Sequence, residues 1–301
     1  MISSLDSASL NFLNGMNLIQ QQSDRAQQEL TTGRKINSVS DAPDQIPILA
    51  QTHASLDQVQ QINSNMTRVK TEVDSGETAL SSAVTLVERA QTLATQGQSS
   101  FLSADSREQI ASELGSVLQQ MVAVANTSVE GRYIFSGDQD QTAPYTIDLT
   151  QSNPISPYAG SAATRQIQSP DGTLIPVGLT AQAIFDSSNP QNNVFQAINN
   201  VRTALLNNDQ NAINAALPNL ASADTYLNSQ LASYGVSQDR VNSAISYGST
   251  LVTQLQTQLS GIQDADMTQA ITDLTQAQTQ QQAALASRAK LPNSSLFDYL
   301  G

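Results

Sequence analysis

Cysteine is absent from these 301 residues, which excludes a disulfide framework, a thiolate zinc site and a cysteine nucleophile. Its absence leaves the compartment undetermined. Histidine occurs once, at His53 between Thr52 and Ala54, so a serine–histidine–aspartate arrangement has one candidate base and no marked nucleophile beside it. His53 reads as a surface or seam residue. No glycine-rich phosphate loop occurs. The acidic pairs Asp138/Asp140 and Asp264/Asp266 lack the loop spacing of a helix–loop–helix calcium site, and read as loop carboxylates and a helix N-cap. No catalytic, cofactor-binding or metal-ligating residue is assigned.

Charge is scarce as well. Charged residues make up 13% of the chain, about half the usual share of roughly 25%. Gln, Asn, Ser and Thr build the polar faces instead. A neighbour can bury such faces through amide and hydroxyl hydrogen bonds, with no ions to desolvate. The formal net charge is −13, and Lys and Arg are scattered. Nucleic acid and an anionic membrane surface therefore find no basic patch, and neither is expected as a partner. No stretch approaches the roughly 20 apolar residues of a membrane span. Met1 to Asp6 has neither the basic start nor the unbroken apolar stretch of a secretory signal.

What the chain does have is a long apolar repeat at each end. Counting in sevens gives Val59, Met66, Val73, Leu80 and Val87, with Ile62 and Val69 on the adjoining row. Near the other end the same count gives Leu220, Leu227, Tyr234, Val241, Gly248, Leu255 and Ile262, with Leu231, Ile245, Val252 and Leu259 four residues on. A heptad seam held this long needs a partner helix, and the simplest partner is the other seam. The glycines at seam positions (Gly76, Gly97, Gly248) are expected to allow close helix approach.

Outside the seams the pattern thins. Leu5, Phe12, Ile19 and Ala26 fall seven apart, with Met16 and Leu30 on the neighbouring row. Gly33 then stops the helix, and Asn37, Asp41 and Pro43 mark a connector. Asp105 to Glu108 reads as a capping box for a helix carrying Ile110, Leu114, Val117 and Met121. Prolines and glycines cluster over 131–189. There Tyr145, Ile147 and Leu149 alternate as in a strand, and Pro170-Asp171-Gly172-Thr173 reads as a hairpin turn. After the second seam a thin helix carries Met267, Ile271, Leu274 and Leu285, followed by the apolar tail Leu296, Phe297, Tyr299 and Leu300.

The expected fold is mainly α: a long antiparallel coiled-coil rod from the two chain ends, with a small β-rich domain inserted at its far end. Five segments are expected: an assembly helix and connector (1–42), rod helices (43–130), the insert (131–189), rod helices (190–263) and a second assembly helix (264–301). The end helices carry too little apolar surface to be stable alone in water, and are expected to order only when copies pack. A coiled-coil signalling rod would explain the seams but not the matched thin ends or the insert. An enzyme housed in the insert would need a convergent acid, base and nucleophile, and no such set is found.

Gln28-Glu29-Leu30-Thr31-Thr32-Gly33-Arg34-Lys35-Ile36-Asn37-Ser38, followed by Asp41-Ala42-Pro43, resembles the N-terminal signature of bacterial flagellin and its relatives. Glu77-Thr78-Ala79-Leu80 and Val87-Glu88-Arg89-Ala90 continue the likeness. Ile262-Gln263-Asp264-Ala265-Asp266-Met267 and the ending Leu296-Phe297-Asp298-Tyr299-Leu300 are similar to the other terminus. Within that family, Gly131-Arg132-Tyr133-Ile134-Phe135-Ser136-Gly137 and Val194-Phe195-Gln196-Ala197-Ile198 resemble the hook–filament junction branch, with filament flagellin as the alternative. The resemblance implies a non-enzymatic flagellar subunit, secreted through type III export. It implies a ring of copies, with a neighbouring hook-associated protein, flagellin and an export chaperone as partners. Arg89 is expected to make an intersubunit polar contact.

Overall fold

The computed structural model describes residues 7–290 and is mainly helical. In chain order it comprises α1 (Ser7–Thr32), α2 (Ile46–Gly97), α3 (Ala104–Ala125), β1 (Ser128–Val129), β2 (Arg132–Tyr133), β3 (Gln166–Gln168), β4 (Leu174–Pro176), α4 (Ala181–Phe185), α5 (Val194–Leu206), α6 (Gln210–Gln263) and α7 (Met267–Ala289). Two compact units result. One is Val59–Leu251; the other gathers the described residues up to Gln58 and from Val252.

The larger unit forms around the heptad seam. The Asn63 amide lies against Gly248 and Gly76 lies against the Tyr234 ring. Gln238 donates to Asp74 at 2.6 Å, and Gln98 donates to Asn214 at 2.9 Å. Rising numbers on α2 meet falling numbers on α6, so this stretch of the pair is antiparallel. Met66, Leu80, Val87, Leu227 and Val241 are wholly buried, and α3 and α5 add Leu114, Leu118, Met121, Ile198 and Val201 to the same core. Each such side chain contributes roughly 1.5–3 kcal/mol before the entropy of ordering is subtracted. On the outer face of α2 the hydroxyls of Thr67, Thr71, Ser75, Thr78, Ser82, Thr85, Thr92 and Thr95 donate to the carbonyl four residues back. Those donors are kept inside the helix.

Two buried ions fasten what the seam does not reach. Arg107 is 6% exposed. Its guanidinium donates to the Gly97 carbonyl (3.3 Å), the Ser99 carbonyl (2.9 Å), the Gln210 side chain (2.6 Å) and the Asn208 side chain. The cation therefore sits among carbonyls at the negative end of α2, which supplies the partners that its burial requires. Glu72, also buried, takes hydrogen bonds from Arg132 at 2.8 Å and Arg165 at 2.5 Å, and so ties the β-bearing module to α2.

Within that module the strands are short. β3 and β4 pair antiparallel, Ile167 opposite Ile175, across the Pro170–Thr173 turn. The strand expected at Tyr145, Ile147 and Leu149 is not formed, and Ile147 makes only an isolated bridge to Ile155. Pro154 and Pro157 in the facing segment have no N–H to extend a ladder. The Asn126 side chain takes over instead, donating to the Tyr145 carbonyl at 2.7 Å and accepting from its N–H at 3.0 Å. Tyr145 packs edge-on against Phe195 at 5.1 Å between centroids. Burial and the nearby Asp186 carboxylate push its phenol upward. The cap of α3 also differs from expectation. Ser103, not Asp105, accepts the N–H of Ser106 at 3.1 Å, and Asp105 lies in the first turn, where its charge favours the positive helix end.

Gly76 is one of the close approaches in the seam. A Cβ there would lie 2.5 Å from Tyr234 Cε1. That ring cannot retreat freely: its hydroxyl accepts the Leu179 N–H at 3.2 Å, and burial holds the phenol up at about 12. Gly235, one residue past Tyr234 on α6, has open space around it. Alanine gains up to about 1 kcal/mol of helix propensity at either site, but overpacking at Gly76 costs about 1–3 kcal/mol. Gly76→Ala should therefore lower the urea midpoint of unfolding, and Gly235→Ala should raise it.

Candidate assembly interface

The second unit carries both thin helices. With 3.6 residues per turn, Phe12, Met16, Ile19, Ala26 and Leu30 share one side of α1. Ala26 is buried there and the other four are half-buried. α1 and α7 run antiparallel. Arg288 donates to Ser9 Oγ at 2.7 Å and lies 5.6 Å from the Phe12 ring centroid, and Gln281 approaches Gln20 at 3.4 Å. On α7 the buried positions are Ala270 and Ala277, with Leu274 half-buried. Among the described residues, only alanines are fully buried along this pair. The helices thus approach closely while removing little apolar area from water. The end helices, expected to order only on assembly, are helical here and paired with each other.

Several large apolar side chains remain outside that seam. Leu10, Leu13 and Leu18 lie on the opposite side of α1, 46%, 46% and 60% exposed. Met267, Ile271 and Leu285, 45%, 54% and 52% exposed, form a stripe down α7 beside its alanine row. The leucines of the far side of α1 were missed from sequence, because the count in sevens followed one row of a helix that carries two. Leu5 and the tail residues Leu296, Phe297, Tyr299 and Leu300 lie outside the described residues.

The two breaks in the helical path meet in this unit. α1 ends at Gly33, whose positive φ of 69° lets its N–H reach back to the Glu29 carbonyl at 2.8 Å. Arg34 then pairs with Asp264 as an antiparallel bridge. Lys35 N–H donates to the Gln263 carbonyl at 2.8 Å and Ala265 N–H to the Gly33 carbonyl at 2.9 Å. The Lys35 ammonium reaches the Gly261 carbonyl at 3.2 Å, a cation at the negative end of α6. Below this junction Ile36, Leu49, Leu56 and Leu259 form a small core, flanked by half-buried Val252, Leu255 and Ile262. Asp266 then caps α7, accepting from Thr268 and Gln269 N–H at 2.9 and 3.1 Å.

The remaining seam positions and polar candidates have plain placements. Val59, Val69, Val73 and Tyr234 are buried, and Ile62, Leu231 and Ile245 are half-buried. His53 is half-buried on α2. Asp264 accepts from Ser260 and Asp140 faces Arg132. Arg89 pairs with Glu113 of α3 at 2.9 Å within the same chain, both more than half exposed. No group of three potential metal ligands occurs among the described residues, and no described helix is long and apolar enough to cross a membrane.

Asp41 organises the connector. Its carboxylate accepts the N–H groups of Asn37 at 2.8 Å and Ser38 at 2.7 Å, and these bonds hold its pKa below the ordinary carboxylate value. A depressed folded pKa contributes order that is present above the unfolded value and lost as pH falls through the folded one. The amide proton shifts of Asn37 and Ser38 should titrate with a midpoint below about 3.9. In Asp41→Asn that titration should be absent.

Comparisons with known proteins agree with this architecture. Residues 3–140 match the family model described as bacterial flagellin N-terminal helical region, and residues 217–300 match the bacterial flagellin C-terminal helical region. The chain is 27% identical to flagellar hook-associated protein 3 of Escherichia coli over 296 residues, covering 90% of each. It is 24% identical to the protein of that name from Salmonella typhimurium over 305 residues, again covering 90% of each. Among solved structures, FlgL of Xanthomonas campestris superimposes with a TM-score of 0.60 at 19% identity, over 69% of this chain and 99% of that one, and so shares the fold.

Proposed function

We infer that this chain, which belongs to the bacterial flagellin family, is a structural subunit of the flagellum that stands at the hook–filament junction as a ring of copies. Support for the junction comes from the two curated relatives, both named hook-associated protein 3 and both aligned over 90% of this chain. Support for assembly comes chiefly from α1, apolar on two opposite sides, with α7 against one side and Leu10, Leu13 and Leu18 open on the other.

In this reading residues 1–42 and 264–301 are the assembly segments, 43–130 and 190–263 the rod, and 131–189 the inserted domain. Neighbouring copies cover the second side of α1 and the Met267–Ile271–Leu285 stripe, burying amide and hydroxyl faces without desolvating ions. A hook-associated protein lies on one side of the ring and flagellin on the other. The subunit leaves the cell by the flagellar type III route, and an export chaperone covers Met267, Ile271, Leu274 and Leu285 with the apolar tail until assembly. No catalytic step belongs to the role.

Two measurements test it. Immunolabelling should mark a short band between hook and filament, and deletion of the gene should leave hooks in place while flagellin spills into the medium. Label along the whole filament would make the chain a filament flagellin instead. Separately, Leu13→Asp should shift the stability of the isolated chain by no more than about 0.5 kcal/mol, as at other exposed sites, yet abolish incorporation into flagella.

A further inference from the structure

The large apolar side chains left exposed in the unit of residues 59–251 fall in two places. One is convex. Phe101, 98% exposed, sits in the loop between α2 and α3, and Leu206, 46% exposed, ends α5. This loop stands on a fastened base. Arg107 binds the Gly97 and Ser99 carbonyls together with Gln210, and Gln210 in turn donates to the Gln98 carbonyl at 2.6 Å. The other place is concave. The β3–β4 hairpin and α6 enclose a hollow lined by Leu174, Val236 and Tyr247, each more than half exposed, with buried Ile175 and Ala244 beside them.

We propose that this hollow receives Phe101 from a second copy of the same chain. The proposal rests on the assembly reading above and supplies one of its contacts. The same copy cannot fill its own hollow. Gln98 is tied to Gln210, and Val236 lies about 40 Å further along α6 at 1.5 Å per residue. The three residues from Gln98 to Phe101 span about 10 Å at most. A convex and a concave patch on different parts of one surface join head to tail, the kind of contact that closes into rings or extends into filaments. The segment from Gln98 to Ala104 carries no charge, so its seating desolvates no ion of its own. Asp239 and Arg240, also lining the hollow, are exposed and keep their water at its edge.

Because the chain has no cysteine, introduced thiols report a contact without background. Full-length Ser100→Cys and Ser243→Cys variants, mixed and oxidised, should give a 100–243 disulfide at least tenfold above the 100–100 and 243–243 pairs. Adding Phe101→Ser to the first variant should cut that yield tenfold or more with no change in Tm. Dominance of like pairs, indifference to Phe101→Ser, or capture of the Ser100→Cys thiol only by a protein of different sequence would each overturn the proposal. The same variants in isolated flagella separate the two ideas. Label at the junction without a 100–243 bond sinks the contact alone. A 100–243 bond in solution with no label on flagella upholds the contact and sinks the assembly reading.

Discussion

A helix that is apolar on two opposite sides cannot bury both against a single partner. That constraint governs α1. Its Phe12, Met16, Ile19 and Leu30 side faces α7 across a row of alanines, while Leu10, Leu13 and Leu18 look the other way. In the larger unit the contrast is plain: Leu80, Leu118 and Ile198 lose all contact with water, and a folded core follows from residues that one chain supplies. At the chain ends the apolar surface is divided, and one copy can cover only part of it. What α1 and α7 leave uncovered, Leu10, Leu13 and Leu18 on one helix and Met267, Ile271 and Leu285 on the other, stays in contact with water in the single chain.

Ions are few, and the buried ones are placed where heptad packing ends. Arg107 secures a loop and the start of α6 by satisfying carbonyls rather than by meeting a carboxylate. Glu72 draws two arginines from the irregular module onto a helix face. In both cases a single buried charge, fully hydrogen-bonded, replaces the many apolar contacts that a loop cannot offer.

Much of the fold was legible because it follows from period and punctuation. The helical seams, the stop at Gly33, the turn at Pro170–Thr173 and the cap at Asp266 all rest on local rules. What escaped depended on partners distant in sequence. Tyr145 to Leu149 alternates as a strand would, but the prolines opposite it and the Asn126 side chain decided otherwise. The cap of α3 lay two residues before the string that looked like a capping box, because Ser103 competed better for the free N–H. The second apolar row of α1 was written in the sequence and hidden only by counting along the first. The mutual docking of the two helix breaks, Arg34 on Asp264, had no local signal, since a backbone bridge can be made by almost any side chain.

The outward hydroxyls of α2 turn their hydrogens inward, so each threonine offers a methyl group to whatever approaches. A skin of this kind is polar in composition yet nearly neutral and only half wet. Contacts made through the hydroxyl and methyl row itself owe little to attraction between opposite charges, and dissolved electrolyte, which screens such attraction beyond about 10 Å, has little to weaken there apart from pairs such as Arg89–Glu113. A joint faced this way would grip alike in fresh water and in brine.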